Sequence, residues 1–234
     1  MEIAGSVALV TGANRGLGAS FCRALLERGA AKVYAGARDP ESVTMAGVIP
    51  VKLDITSAAD IAEAVERCGD TTLLINNAGI LTSASVLSAD ALTTGRAEFE
   101  TNVLGTLAMS QAFAPVLAAN GGGGIVNVLS VLAWLASPGA PMYCASKAAM
   151  WSLTNSLRMG LLKQQTQVMA LHVGLMETEM AARLQGQKSE PLVVAGLALD
   201  GIERGAHEVL ADASSQRVRA ALSGELSALY PALA

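Results

Sequence analysis

Tyr143 and Lys147 stand four residues apart in the run Tyr-Cys-Ala-Ser-Lys, with Ser130 a short distance upstream. On a helix, positions i and i+4 share one face, a turn apart. A phenol and an ammonium on one ridge form a proton-transfer pair. An unperturbed tyrosine, with a pKa of about 10, exchanges its proton poorly near neutrality. Bringing it to roughly 7 takes about 4 kcal/mol of preferential phenolate stabilisation, which a lysine together with a bound cationic cofactor ring can supply. The pair points to an enzyme. The competing reading is an amphipathic helix edge with a snorkelling lysine.

Such a pair needs a rigid frame. Short apolar runs alternate with helical stretches, the pattern of a parallel sheet covered on both faces. Strands are expected at 6–10, 32–36, 48–53, 72–76, 124–129, 167–172 and 208–211. Helices are expected at 16–28, 58–68, 91–119, 141–163 and 191–203. With right-handed crossovers these make a doubly wound, Rossmann-like three-layer α/β sandwich around a seven-stranded parallel sheet. The 234 residues are read as one domain. Hydrophobic residues make up 52% and aromatic ones only 3%, so the core must be built from Ala, Val, Leu and Met.

A net charge of -4 gives no pull toward nucleic acid. Cys22, Cys68 and Cys144 lack paired spacing and fit a reducing cytosol. His172 and His207, the only histidines, have no ligand-type neighbours, so no metal is expected. Met1-Glu2-Ile3 leads directly toward the first strand, with no basic leader and no apolar run long enough to span a bilayer. The protein reads as soluble and cytoplasmic.

The run Val7-Ala-Leu-Val-Thr-Gly passes from a buried strand into a glycine turn that opens a helix. Gly12, Gly16 and Gly18 suit a tight bend, a close approach to pyrophosphate and close helix–strand packing. The helix N-terminus offers unpaired N–H groups to phosphates. A ligand-free βα turn is the plainer alternative.

Taken in order and spacing, Thr11-Gly-Ala-Asn-Arg-Gly-Leu-Gly18, Asn76-Asn-Ala-Gly79, Asn102, Ser130 and Tyr143-x-x-x-Lys147 resemble the short-form short-chain dehydrogenase/reductases, from Val7 to about Met180. The resemblance implies that Tyr143 is the general acid for carbonyl reduction and the base in reverse. Lys147 would lower its pKa and bind the nicotinamide ribose. Ser130 would hydrogen-bond the substrate oxygen, and Asn102 would hold a water in a proton relay behind Lys147. Each has a duller alternative: Ser130 as a cap of the segment after its strand, Asn102 as an ordinary helix polar residue. The implied cofactor site comprises Gly12, Asn14, Arg15, Gly16, Leu17, Gly18, Arg38, Asp54, Ile55, Asn77, Ala78, Gly79, Tyr143, Lys147, Gly174 and Thr178. Asp54 has a second reading as a cap of the helix beginning near Ser57, and Asn76 is read as a tie between strands.

By the same resemblance, Ala37 occupies the position where an NAD enzyme usually places an acid, and Arg38 follows it. With Arg15, two cations face a 2′-phosphate, each charge-assisted bond worth roughly 1.5–3 kcal/mol. NADP(H) is therefore the expected cofactor. Asp39 would repel that phosphate if turned inward, but Asp39-Pro40 reads better as the start of a short helix. One departure stands out. Val173 replaces the family's usual proline before Gly174, which predicts a looser nicotinamide end. His172 is read as packed at its strand end, not as a base.

Leu132, Trp134, Leu135, Met142, Met176 and Met180 carry no charge, which suggests a small apolar ketone, aldehyde or alcohol as substrate, with core or subunit interface as the alternative. The segment 180–190 reads as a lid, and the lid region is drawn around 175–204. Long helices that are apolar on more than one face suggest a homodimer or homotetramer. A non-enzymatic NADP(H)-binding regulator or scaffold would tolerate loss of Tyr143 or Lys147, which are both present. A cofactor-free halohydrin lyase would need an arginine at Lys147.

Overall fold

The computed structural model of the chain describes residues 1–82 and 84–233. Seven parallel strands form one sheet in the order β3-β2-β1-β4-β5-β6-β7. They are β1 Val7–Thr11, β2 Lys32–Ala37, β3 Ile49–Lys52, β4 Leu73–Asn76, β5 Gly123–Val128, β6 Thr166–His172 and β7 Glu208–Leu210. The order reverses between β1 and β4, which opens a crevice at the carboxyl ends of the strands.

The helices are α1 Gly16–Glu27, α2 Ala58–Arg67, α3 Ala91–Phe99, α4 Thr106–Ala119, α5 Pro141–Gly160, α6 Pro191–Glu203, α7 Ala213–Ala221 and α8 Leu226–Leu229. Alternate strand residues feed opposite faces of the sheet. Ala8, Val10, Leu73 and Ile75 pack with Phe21 and Leu25 of α1 and with Val194, Ala198 and Ile202 of α6. Leu9, Leu74 and Ile125 pack with Ile61 of α2 and with Met109, Phe113 and Leu117 of α4. Val103, Leu129, Met150 and Ala170 make a smaller cluster under α5. Fully burying a Leu or Phe side chain contributes about 1.5–3 kcal/mol, so these layers hold the strand ends at fixed positions.

Four departures from the sequence reading bear on function. The expected continuous helix 91–119 is broken by a π-helical segment, Glu100–Gly105, that joins α3 to α4. By length and composition alone, the stretch Ala91–Ala119 also contains an apolar window long enough to cross a membrane, contrary to the expectation. Ala and Leu residues make the stretch apolar, and its inner face packs on the sheet through Met109, Phe113 and Leu117. The helix 191–203, drawn into the lid region, is a core helix: Val194, Ala195, Ala198, Leu199 and Ile202 are fully buried, most of them facing α1. Finally, α7 and α8 were not expected. Asp212 starts α7 through a reciprocal capping box with Ser215.

Asp39 behaves as the sequence suggested. Its side chain accepts from the Glu41 N–H and caps the 3-10 turn Pro40–Ser42.

Candidate active site

The glycine turn closes over the end of β4. Gly12 has φ +64° and Gly16 φ +55°, a backbone region that glycine alone enters at little cost. A Cβ on Gly18 would lie 2.1 Å from the Gly12 carbonyl oxygen, so only hydrogen fits there. Asn77 stitches this turn to β4: its Nδ2 donates to the Thr11 and Gly12 carbonyls at 2.9 and 3.1 Å. The Thr11 hydroxyl accepts from the N–H groups of Asn77 and Ala78 at 3.0 and 2.9 Å. Asn77 therefore shapes the cradle with its side chain. Thr11, the hub of that network, was not singled out among the site residues, although a strand-terminal threonine before glycine was visible.

Asn76 ties elements together. Its Nδ2 donates to Asn127 Oδ1 at 2.9 Å and to Ser110 Oγ at 3.0 Å, and Asn127 Nδ2 donates to Thr154 Oγ1 at 2.9 Å. This buried ladder links β4, α4, β5 and α5 beneath the crevice.

The π segment gives Asn102 its reach. One amide group accepts from the Ile80 N–H at 2.8 Å and donates to the Ile80 carbonyl at 2.9 Å and to Ser146 Oγ at 3.1 Å. A widened turn of this kind often occurs at functional sites.

Pro141 fixes the first turn of α5, and Tyr143 and Lys147 follow on one ridge. Lys147 Nζ lies 5.6 Å from the Tyr143 ring centroid and donates to the Val128 carbonyl, the last of β5, at 2.9 Å. Burial depresses the lysine from its usual value to about 8. Burial also pushes the Tyr143 phenol upward, opposed by a hydrogen bond with Ser130. In the protein alone, desolvation outweighs the contacts that lower the phenol.

Ser130 takes the capping role that was its alternative reading. Its Oγ accepts from the Leu132 N–H at 3.1 Å and so caps the 3-10 turn Val131–Ala133. That bond occupies an oxygen lone pair and leaves the O–H free to donate. Gly79 completes the wall. A Cβ there would approach Asn102 Oδ1 at 3.1 Å and Lys147 Nζ at 3.7 Å, filling the space beside the lysine.

Other expected residues are placed differently. Ile55 is buried and packs against Gly105, where a Cβ would meet it at 2.9 Å; only its backbone is left for a ligand. Asp54 Oδ1 accepts from Thr56 N and Oγ1 at 2.9 and 2.7 Å, whereas Ser57 caps α2. The reading of Asp54 as that helix's cap is therefore corrected. Arg15 pairs with Glu179 at 3.0 Å, both exposed, and Arg38, just past the end of β2, is exposed as well. Leu17 is buried and packs with α1's inner face, while Asn14 lines a cavity of about 260 Å³ together with Ala13, Val43, Thr44 and Met45.

The chain after β6 folds back over the glycine turn: Thr178 Cγ2 would stand 3.4 Å from a Cβ on Gly16. The Gly174 N–H donates to Asp212 Oδ2 at 2.6 Å. His172 is fully buried at the end of β6. Residues 175–190 are tied at their base by Ser189, whose N–H donates to Leu175 O at 2.9 Å and whose carbonyl accepts from Glu177 N at 3.0 Å. Among the expected substrate contacts, Met142 covers Gly95 of α3 and Trp134 stacks on His172.

A family model described as short chain dehydrogenase matches residues 6–189. The chain is 34% identical over 189 residues to a sorbitol dehydrogenase of Cereibacter sphaeroides, covering 76% of this chain and 73% of that protein. It is 29% identical to an NADP-dependent 3-hydroxy acid dehydrogenase of Schizosaccharomyces pombe, covering 89% of this chain and 91% of that protein. A solved short chain dehydrogenase from Burkholderia cenocepacia J2315, in complex with NADP, matches with a TM-score of 0.94 and 42% identity, over 100% of this chain and 99% of that one.

Proposed function

Because the chain belongs to the short-chain dehydrogenase family, we propose that it is an NADP(H)-dependent oxidoreductase that reduces a ketone or aldehyde to an alcohol and runs in reverse. The observation that carries this reading is the convergence of Lys147, Asn102 and the bare Gly79 around one gap, with Tyr143 on the same ridge as the lysine. The cofactor fits the residues present: a Cβ would fill the cradle at Gly18 and crowd the gap at Gly79. Gly12, Asn14, Gly16 and Gly18 would hold its pyrophosphate, Ala78 and Gly79 would leave room for its ribose, and Thr178 would cover it. Arg15 and Arg38 would take a 2′-phosphate.

When bound, the reduced nicotinamide supplies the hydride. Tyr143 gives its proton to the carbonyl oxygen as that oxygen becomes an alkoxide. Ser130 donates its O–H to the same oxygen, stabilising the developing charge. Lys147, held by Val128 O, keeps a positive charge beside the phenolate that remains, and Asn102 positions Ile80 and Ser146 around it. Leu132, Leu135, Met176 and Met180 favour a small apolar substrate. The S. pombe relative's NADP-dependent name and the NADP complex of the Burkholderia structure support the cofactor choice.

The whole chain acts as one catalytic domain, with residues 175–190 over the substrate. The unpaired Cys22, Cys68 and Cys144 fit the cytoplasm. A groove of about 560 Å³ along α2 and α4, lined by Ile61, Leu104, Ala108 and Ala112, supports assembly into a homodimer or homotetramer.

A panel of apolar ketones and aldehydes, with NADPH and NADH consumption followed in parallel, tests the reading. NADPH-linked turnover that disappears in Tyr143→Phe, with nucleotide binding retained, is the expected result. Unchanged turnover in that variant would remove the assigned role.

A further inference from the structure

The chain has 2 tryptophans, and both are half-buried members of one cluster around the buried His172, behind Ser130. The Trp134 indole stacks on the His172 imidazole, with centroids 3.7 Å apart and planes inclined by 17°. Trp151 of α5 meets Trp134 edge-on at 6.0 Å and 86°. Arg219 of α7 lies 5.6 Å from the Trp134 ring centroid. Three separate elements, β6, α5 and α7, thus converge on the turn that follows β5.

His172 connects this cluster to the serine. Its Nδ1 lies 3.2 Å from the Ser130 carbonyl oxygen. A carbonyl only accepts, so Nδ1 carries a proton and donates. The Ala133 N–H reaches the same oxygen at 3.0 Å, so two donors grip it. The other imidazole nitrogen, Nε2, has no hydrogen-bond partner and faces Glu208 Oε1 at 3.7 Å. Glu208 is itself anchored: Oε1 accepts from Trp151 Nε1 at 2.9 Å, and Oε2 lies 3.4 Å from Arg219 Nε.

We propose that His172, clamped under Trp134, is a positioning residue for Ser130: it fixes the main chain that aims the serine hydroxyl. The inference rests on the reading of Ser130 as a donor to the substrate oxygen. The sequence of constraints is direct. β5 ends at Val128, and beyond it the Leu129 and Val131 N–H groups still pair with Leu171 and Val173 at 2.8 and 3.0 Å. The Ser130 carbonyl points away from those bonds, and His172 supplies its second donor. A displacement of about 1 Å at such a group can cost roughly a hundredfold in rate.

His172→Phe keeps a ring for Trp134 and removes the Nδ1 donor, whereas His172→Asn restores a donor near that point without the ring. The expected result for His172→Phe is a kcat lower by roughly 10- to 100-fold, an NADPH Kd changed by less than about threefold, and altered tryptophan emission. His172→Asn should recover most of the lost kcat. Should His172→Phe fail to fold, Trp134→Leu, which removes the ring stacked on the imidazole, should lower kcat with NADPH affinity retained. Unchanged kcat in the folded Phe or Leu variant, an Asn variant no better than Phe, or unaltered emission from His172→Phe would overturn the proposal. Ser130→Ala, measured alongside, separates the two readings. Full turnover in Ser130→Ala removes the assignment of Ser130 itself, while loss in Ser130→Ala with none in His172→Phe removes only the role of His172.

Discussion

The amide of Gly174 donates to Asp212 Oδ2 at 2.6 Å, which fastens the loop leaving β6 to the first turn of α7. The sequence reading gave Gly174 to the cofactor and expected the missing proline at Val173 to loosen this end. The aspartate instead restrains the loop from the other side. A Cβ on Gly174 would sit 2.9 Å from the same carboxylate oxygen, so the contact also needs the glycine.

Asp212→Ala removes both that tether and the cap of α7. Loss of the cap is worth about 1 kcal/mol, visible in denaturant melts, and the freed loop should raise the KM for NADPH severalfold. Asp212→Asn keeps one acceptor, for the Ser215 N–H, but sets an NH2 group against the Gly174 N–H, so it should retain the cap and stability while still raising the KM. A loss of stability with an unchanged KM would show that the tether does not serve the cofactor.

Arg15 is engaged with Glu179 across the mouth of the crevice. Exposed pairs of this kind contribute about 0–1 kcal/mol, so a dinucleotide phosphate can displace the glutamate cheaply. Glu179→Gln should tighten NADPH by a few-fold and leave NADH unchanged. Arg38→Asp should weaken NADPH far more than NADH, and equal losses for both nucleotides would end the phosphate-clamp argument. Isothermal titration of the two nucleotides decides it.

Lys147 titrates at about 8 in the folded protein, below its ordinary 10.5, because burial penalises its charge. Between these values the unfolded chain binds more protons than the folded one, so stability rises with pH. The penalty, about 3 kcal/mol below pH 8, relaxes as the pH climbs from about 8 to 10.5. In the nucleotide-free protein, the Tm of the parent relative to Lys147→Met should therefore increase across that window. A parallel pair of pH profiles would contradict the burial argument.

Gly18→Ala puts a methyl 2.1 Å from the Gly12 carbonyl oxygen and 2.6 Å from Asn77 Nδ2. The turn must open, and nucleotide affinity should fall more than tenfold. Gly160→Ala, with no atom within 4 Å of the new methyl, serves as a control that keeps affinity and gains up to about 1 kcal/mol of helix stability.

The sheet was legible because its strands are buried on both faces and read as unbroken apolar runs; all seven appeared within a residue or two. The ridge carrying Tyr143 and Lys147 was legible because helical spacing is local. The π turn at Glu100–Gly105 was not, since it arises from what Asn102 must reach, Ile80 and Ser146, far away in sequence. The same applies to Asp212 and to Glu208. Their partners, Gly174 and His172, are brought near only by the pairing of β6 with β7. The lid was drawn too long because Pro191 marks a helix start but says nothing about whether that helix faces α1.

The amide ladder from Ser110 through Asn76 and Asn127 to Thr154 has a bearing on how the chain assembles. Sliding β4 against β5 by one position would put the two asparagines on opposite faces of the sheet and strand their amides in hydrocarbon, at about 1–3 kcal/mol for each unpaired group. Apolar strands as uniform as these offer little else to tell one alignment from its neighbour. Two polar side chains in the middle of the sheet thus act as an indexing mark, and chains that pair out of step are rejected before the crevice above them can form.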